Sequence, residues 1–378
     1  MTDVARPRLA ATGARRRRYD DAMLIRARAL ALSTMGLIGL AGCGSDGAGG
    51  GDSDARRADA ATTDAAIIDA TPRPRFRTCR GRPFSPAPLQ DWRHSIATPF
   101  TTAAGAANHS AQDPIGDRAE AVSLHGKFAY GAISKDLQDE KVAVWIDDCA
   151  GWVALGEPVT DSDGRITVAV PPAVVTTPGV YEVRFQVLGD RSQTRALVWL
   201  LPRGTHLALT DIDGTLTSSD AELFQQILDG SHVPVAYPGA VTLTTAHAAR
   251  GHVVLYLTGR PYYLTERSRD WLTNLAFAPG PLHLTDSNGE ALPTEAGVGD
   301  FKKRFLMSLL AAGYLIDVGY GNATTDVYAY LGAGLPADRV WIIGSNGGVQ
   351  GTHAVAGSWV ARTAEVAAGP AVLQPFDW

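Results

Sequence analysis

Between residues 84 and 202 apolar and polar positions alternate with a period of two. "VAVWIDD" (142–148), "RITVAV" (165–170), "VYEVRFQVL" (180–188) and "RALVWLL" (195–201) are rich in Val, Ile and aromatics. Turn clusters such as "DSDGR" and "TTPG" separate them. Successive side chains of a strand point to opposite faces, so each run can bury one face. Strands recurring every dozen residues, with no helical stretch between, predict a small immunoglobulin-like β-sandwich. After Gly204 the period changes. Strand-like "HLALT" (206–210), "HVVLYLT" (252–258), "LIDVGYG" (315–321) and "RVWIIG" (339–344) alternate with other segments, 239–251, 262–276, 300–313 and 326–334. Those segments carry apolar residues three and four apart, the helical spacing. Gly251, Gly313 and Gly334 stand where helices should end. The prediction is α/β: a doubly wound, mostly parallel sheet, whose ligands bind at the carboxyl ends of its strands.

The start of the chain follows neither pattern. Arg15 to Arg18, Arg26 and Arg28 form a basic region, and residues 29–42 an uncharged stretch too short to span a bilayer. "LAGC" (40–43) ends it and resembles the lipobox of bacterial lipoproteins, in which Cys43 would be lipidated. Residues 1–42 therefore read as a lipoprotein signal peptide. Residues 43–80 read as a flexible linker of Gly, Ala, Asp and Pro, 81–202 as the sandwich and 203–368 as the α/β domain. This resemblance places the protein in a bacterial cell envelope, exported and anchored to a membrane by lipid. Cys79 and Cys149 remain, either paired or as two separate buried thiols.

Charge narrows the partners. The net charge is −5, but residues 1–42 hold eight Arg and three Asp. The remainder, 26 basic and 36 acidic residues, carries −10. Such a body has no electrostatic footprint for nucleic acid, nor for an anionic membrane surface.

"DIDGT" (211–215) places Asp211 and Asp213 together where the first strand of the second domain runs out. Two carboxylates about 5 Å apart repel by a few kcal/mol at an effective dielectric of about 20, so a positive partner is required. Other polar candidates fall at the same edge: Thr258-Gly259-Arg260 after the second strand, Lys302 and Lys303 opening a helix, and Asn322 and Asp326 after "LIDVGYG". Each also has a plain structural reading. The aspartates could form a turn or cap, Thr258 could end a strand, Lys302 could be a solvated charge, and Asn322 and Asp326 could cap a helix. "GSNGG" (344–348) reads as a Gly-rich turn, "DSDG" (161–164) as a hairpin turn, and 216–238 as a small flap. His94, His109 and Asp113 fit no compact ligand set and read as surface loop residues, leaving the sandwich without chemistry.

"DIDGTLTSSD", "YPGAV", "VVLYLTGRP", "FKKRFL" and "GYGNATTDVYAY" together resemble the haloacid dehalogenase superfamily. More narrowly they resemble the catalytic domain of lipin-type phosphatidate phosphatases, over roughly residues 204–350. The resemblance implies a haloacid dehalogenase-like fold and a Mg²⁺-dependent phosphohydrolase that converts phosphatidic acid to diacylglycerol. In that scheme Asp211 is the nucleophile that forms an aspartyl-phosphate, and Asp213 the acid and base. Thr258 donates to a phosphate oxygen and Lys302 neutralises charge. Gly214, Thr215, Gly259 and Arg260 contact substrate. Mg²⁺ is held by Asp211, by the backbone carbonyl of Asp213, and by Asn322 and Asp326. Two alternatives stand beside it: a phosphatase for other envelope phosphomonoesters, and a non-catalytic module that binds phosphatidate, as in some phosphatidylinositol-transfer proteins.

Overall fold

The computed structural model describes residues 73–378, apart from 132–133, 223–224, 226–231 and 288. The expected signal peptide, the lipidated Cys43 and most of the linker lie outside the described residues.

Two domains follow one another. The first contains β1 (Arg77–Cys79), a short helix α1 (Ala97–Thr102), β2 (Ser110–Ala111), β3 (Ile115–Gly116), β4 (Val122–Lys127), β5 (Ala129–Tyr130) and β6 (Lys135–Asp136). It continues with β7 (Val142–Asp147), β8 (Trp152–Gly156), β9 (Arg165–Val170), β10 (Gly179–Val187) and β11 (Gln193–Leu200). One sheet runs β3-β11-β10-β7-β8, with β1 also on β10; a second runs β2-β4-β9. Leu124, Val144, Ile146, Val168, Phe185 and Val198 fill the space between them. This is a β-sandwich, built from the alternation in the sequence. Cys79 and Cys149 form a disulfide across a separation of 70 residues. At "DSDG" the Asp161 carboxylate accepts from the N–H groups of Asp163 and Arg165, which makes it a turn.

The second domain contains β12 (His206–Thr210), α2 (Ala240–Ala249), β13 (Val253–Pro261), α3 (Thr265–Asn274) and β14 (Leu282–Thr285). It continues with α4 (Asp300–Ala311), β15 (Leu315–Gly321), α5 (Thr324–Gly332), β16 (Val340–Ile343), β17 (His353–Val355) and α6 (Val360–Ala368). Its six strands are all parallel, in the order β14-β13-β12-β15-β16-β17. Leu207 and Leu209 face Phe301, Leu306, Val327 and Tyr330 on one side. Ala208 faces the other side, with Leu243, Trp271 and Val366. Helices therefore cover both faces, as a buried parallel sheet demands. Gly251, Gly313 and Gly334 take φ of 96°, 89° and 102° just past α2, α4 and α5, the left-handed turn glycine adopts without a Cβ clash. Among the described residues no helix is long and apolar enough to cross a membrane.

One expectation fails in the sandwich. His109 and Asp113 are buried rather than on the surface. Asp113 meets Arg269 of the second domain at 2.7 Å. The domains also share apolar contacts, since Val180, Leu197 and Trp199 of the sandwich pack in one cluster with Leu309, Tyr314 and Phe376.

Candidate functional site

The site lies at the carboxyl edge of the parallel sheet, and five segments build it. Past β12 the Asp211 N–H donates to the Tyr320 carbonyl at 3.0 Å. Gly214 then turns the chain back at φ 65°. Any side chain there would collide, because a Cβ would sit 2.0 Å from Asn322 Nδ2 and 2.3 Å from Asp220 Oδ1.

The Lys302 ammonium lies between two carboxylates, 2.6 Å from Asp211 Oδ1 and 2.7 Å from Asp326 Oδ1. All three groups are buried. The second oxygen of Asp211 accepts from the Thr215 hydroxyl at 3.0 Å. That of Asp326 accepts from the N–H groups of Asn322 and Ala323 at 3.0 and 3.1 Å, capping α5. Asn322 Oδ1 accepts from Thr215 and Asn322 Nδ2 donates to Asp220.

Asp213 has a different cation. Arg260 Nε donates to its two oxygens at 2.8 and 3.1 Å, and Nη2 donates to Oδ1 at 2.8 Å. Arg260 is wholly buried and also donates to Ser268 Oγ at 2.9 Å. Thr258, buried within β13, approaches Asp213 at 3.4 Å. The positive partner required by the aspartate pair is thus supplied twice by the chain itself.

Protonation follows from burial and charge. Desolvation raises the Asp211 carboxyl to about 7; Lys302 opposes that rise, and Asp326 and Asp213 add to it. Burial alone would lower the Lys302 ammonium, but Asp211 and Asp326 outweigh it and hold the group above its usual range. One ammonium shared between two carboxylates favours its own charge while leaving one acid easy to protonate.

A Mg²⁺ ion on Asp211, Asp213, Asn322 and Asp326 does not fit this arrangement. The second oxygens of Asp211 and Asp326 already accept from the Thr215 hydroxyl and from the N–H groups of Asn322 and Ala323. Lys302 occupies the space between Asp211 and Asp326. Among the described residues no three His, Cys, Asp or Glu side chains converge on a point that could hold a metal.

Every predicted site residue within the described residues lies in this crevice or its wall: Asp211, Asp213, Gly214, Thr215, Thr258, Gly259, Arg260, Lys302, Asn322 and Asp326. Gly259 belongs to the wall, with Val298 packed against it. Three others were missed. Asp220 and Ser268 contact Asn322 and Arg260, and Asn346 Nδ2 donates to the Asn322 carbonyl at 2.8 Å. Asn346 lies in the "GSNGG" turn, whose position after a parallel strand was its one signal. In the expected flap, Thr217 and Ala236 form a bridge and Ser218 N–H donates to the Val235 carbonyl.

Comparison with known proteins agrees with this two-part build. Residues 208–344 match the family model for the LNS2 domain of PITM 1-3, and residues 107–199 the PITM 1-3 beta-sandwich domain. At the level these matches support, the chain pairs a β-sandwich with an LNS2 domain. It is 32% identical over 243 residues to human membrane-associated phosphatidylinositol transfer protein 3, covering 63% of this chain and 24% of that one. It is also 32% identical over 268 residues to human membrane-associated phosphatidylinositol transfer protein 1, covering 69% and 20%. To Drosophila melanogaster protein retinal degeneration B it is 31% identical over 247 residues, covering 64% and 18%. The chain thus spans about a fifth to a quarter of the length of these curated relatives. A solved β-glucuronidase of Ruminococcus gnavus superposes with a TM-score of only 0.25 at 8% identity, covering 62% of this chain and 43% of that one, too low to inform the fold.

These matches correct four expectations. The Mg²⁺-dependent phosphatidate phosphatase, and with it the hydrolase and enzyme readings, is overturned by relatives named as phosphatidylinositol transfer proteins. The physical counterpart is Arg260, which takes both oxygens of the carboxyl that would have moved the proton. The lipoprotein and the bacterial-envelope location are overturned in the same way, by relatives in animals named as membrane-associated.

Proposed function

We propose that the crevice binds the phosphate of an anionic membrane phospholipid without hydrolysing it. The α/β domain serves as a haloacid dehalogenase-like binding module carried beside an immunoglobulin-like sandwich. The observation that carries this reading is the Arg260–Asp213 pair. Aspartyl-phosphate chemistry needs a carboxyl beside the nucleophile that can give and take a proton. Here that carboxylate accepts N–H bonds on both oxygens from a buried guanidinium. What remains suits recognition. Lys302 uses two of its three N–H groups on Asp211 and Asp326, leaving one for a phosphate oxygen. The Thr215 hydroxyl donates to Asp211 and the Thr258 hydroxyl reaches Asp213 on the same edge. The relatives' names point to phospholipid as the ligand class.

The test is flotation of the full chain with phosphatidylcholine vesicles, plain or doped with phosphatidate or phosphatidylinositol, in EDTA. Binding to a doped vesicle, weakened by Thr258→Val and by Lys302→Met, with no phosphate released when Mg²⁺ is added, is the expected result. The two dopants tell a terminal phosphate from a phosphodiester. Equal binding to all three vesicles, or release of phosphate, would reject the reading.

A further inference from the structure

We propose that Gln112 and Asp113, although they belong to the sandwich, are positioning residues for the crevice in the other domain. Strand β14 is an edge of the parallel sheet, so its outward backbone groups have no neighbouring strand. Two consecutive side chains take the place of one. The Gln112 carboxamide accepts from Leu284 N–H at 3.1 Å and donates to the Leu284 carbonyl at 2.8 Å. Asp113 Oδ2 accepts from Leu282 N–H at 3.2 Å, while its Oδ1 accepts from Leu197 N–H on β11 at 2.7 Å. The same carboxylate forms a two-bond pair with Arg269 at 2.7 and 2.9 Å. All three side chains are buried.

From β14 the contacts run on to the site. Thr285 pairs with Pro261 on β13, and its hydroxyl donates to the Arg260 carbonyl at 3.0 Å. Arg260 in turn holds Asp213. A side chain on the sandwich therefore closes the edge that keeps Arg260 in register, and the two domains act as one unit. The proposal shares the headgroup reading only in its binding measurement.

The test is hydrogen exchange on the full chain, comparing the parent with Gln112→Ala and with Thr285→Val. Losing the two bonds to Leu284 should speed exchange in 282–286 and in 258–262 by about tenfold, with β15 unchanged. Thr285→Val, which removes the hydroxyl and leaves the sandwich contact intact, should speed 258–262 alone, and it carries the test if Gln112→Ala does not fold. Loosening confined to 282–286, or a uniform rise across all segments, would overturn the proposal. Gln112→Ala should also bind phosphatidate vesicles several-fold more weakly. Loosening at 258–262 with unchanged vesicle binding would leave the positioning role standing and remove the headgroup reading instead.

Discussion

Arg260 grips Asp213 through Nε and Nη2 with contacts of 2.8 to 3.1 Å, and the guanidinium is fully buried. The pair joins the end of β13 to the turn after β12, so it holds the two walls of the crevice together while occupying the carboxylate that a phosphatase would need.

Removing only one partner should therefore be costly. Arg260→Met leaves Asp213, whose side chain is 13% exposed, without its cation, and breaking such a buried pair costs about 3 kcal/mol. Replacing both, as Arg260→Met with Asp213→Leu, should recover most of that loss because no charge is left unpaired. Urea unfolding of Arg260→Met, Asp213→Leu and the double variant against the parent measures both terms. An additive double variant would show that the two groups do not interact.

The disulfide should contribute a comparable amount by restricting the unfolded chain. Cys79 and Cys149 lie 70 positions apart, for which chain entropy gives about 4 kcal/mol. Cys149→Ser should lower the stability of the sandwich by that order in urea, and adding reductant to the parent should do the same. A midpoint indifferent to reductant would contradict the pairing.

Much of this fold was legible because period and burial agree. "HLALT" and "LIDVGYG" span the same residues as β12 and β15, and three glycines end three helices as expected. β14 was missed. It is four residues long and carries His283, whose ring stacks on Phe305 at 3.8 Å, a contact no local pattern reveals. Asp113 was misplaced for a similar reason, since its partner Arg269 is 156 residues away and an isolated aspartate in a loop looks solvated. The polar residues of the crevice share one edge of the sheet, and such an edge can be read from sequence. Their partners could not be. Arg260 was expected to face substrate and instead faces Asp213, and Asp326 proved to be both a helix cap and a partner of Lys302.

Acidification should cost stability through His109, against an opposite contribution from Asp211, whose carboxyl is raised in the fold and so binds its proton there first. Burial lowers this imidazole from 6.5 to about 4, against the pull of Asp190. Its Nδ1 accepts from Ala129 N–H, and its Nε2 lies 2.7 Å from Ser192 Oγ, so the ring is held neutral. The unfolded chain binds a proton near pH 6.5 and the folded one only near pH 4. Stability is therefore complete above about 6.5, declines as pH falls, and has lost roughly 3 kcal/mol from this group below about 4. His247, lowered by burial to about 3, acts in the same direction. Urea midpoints from pH 7 to 4 should drop, and His109→Gln should flatten the slope in that window. An unchanged slope would mean that His109 titrates alike in both states.

Gly214 offers the sharpest probe of the crevice itself. At φ 65° an alanine is strained by roughly 1 kcal/mol on backbone grounds. The larger effect is steric, because the new methyl would fall 2.0 Å from Asn322 Nδ2 and 2.3 Å from Asp220 Oδ1. Asn322 cannot retreat freely, since Asn346 holds its carbonyl and Asp326 its N–H. Gly214→Ala should therefore break the Asn322–Asp220 contact, displace Thr215 from Asn322, and reduce phosphatidate-vesicle binding about tenfold or more. Its cost in global stability should stay near 1–2 kcal/mol. Asp220→Ala removes one of the two obstructing groups, and in that background the alanine should recover part of the lost binding. Full vesicle binding by Gly214→Ala alone would place the headgroup somewhere other than this crevice.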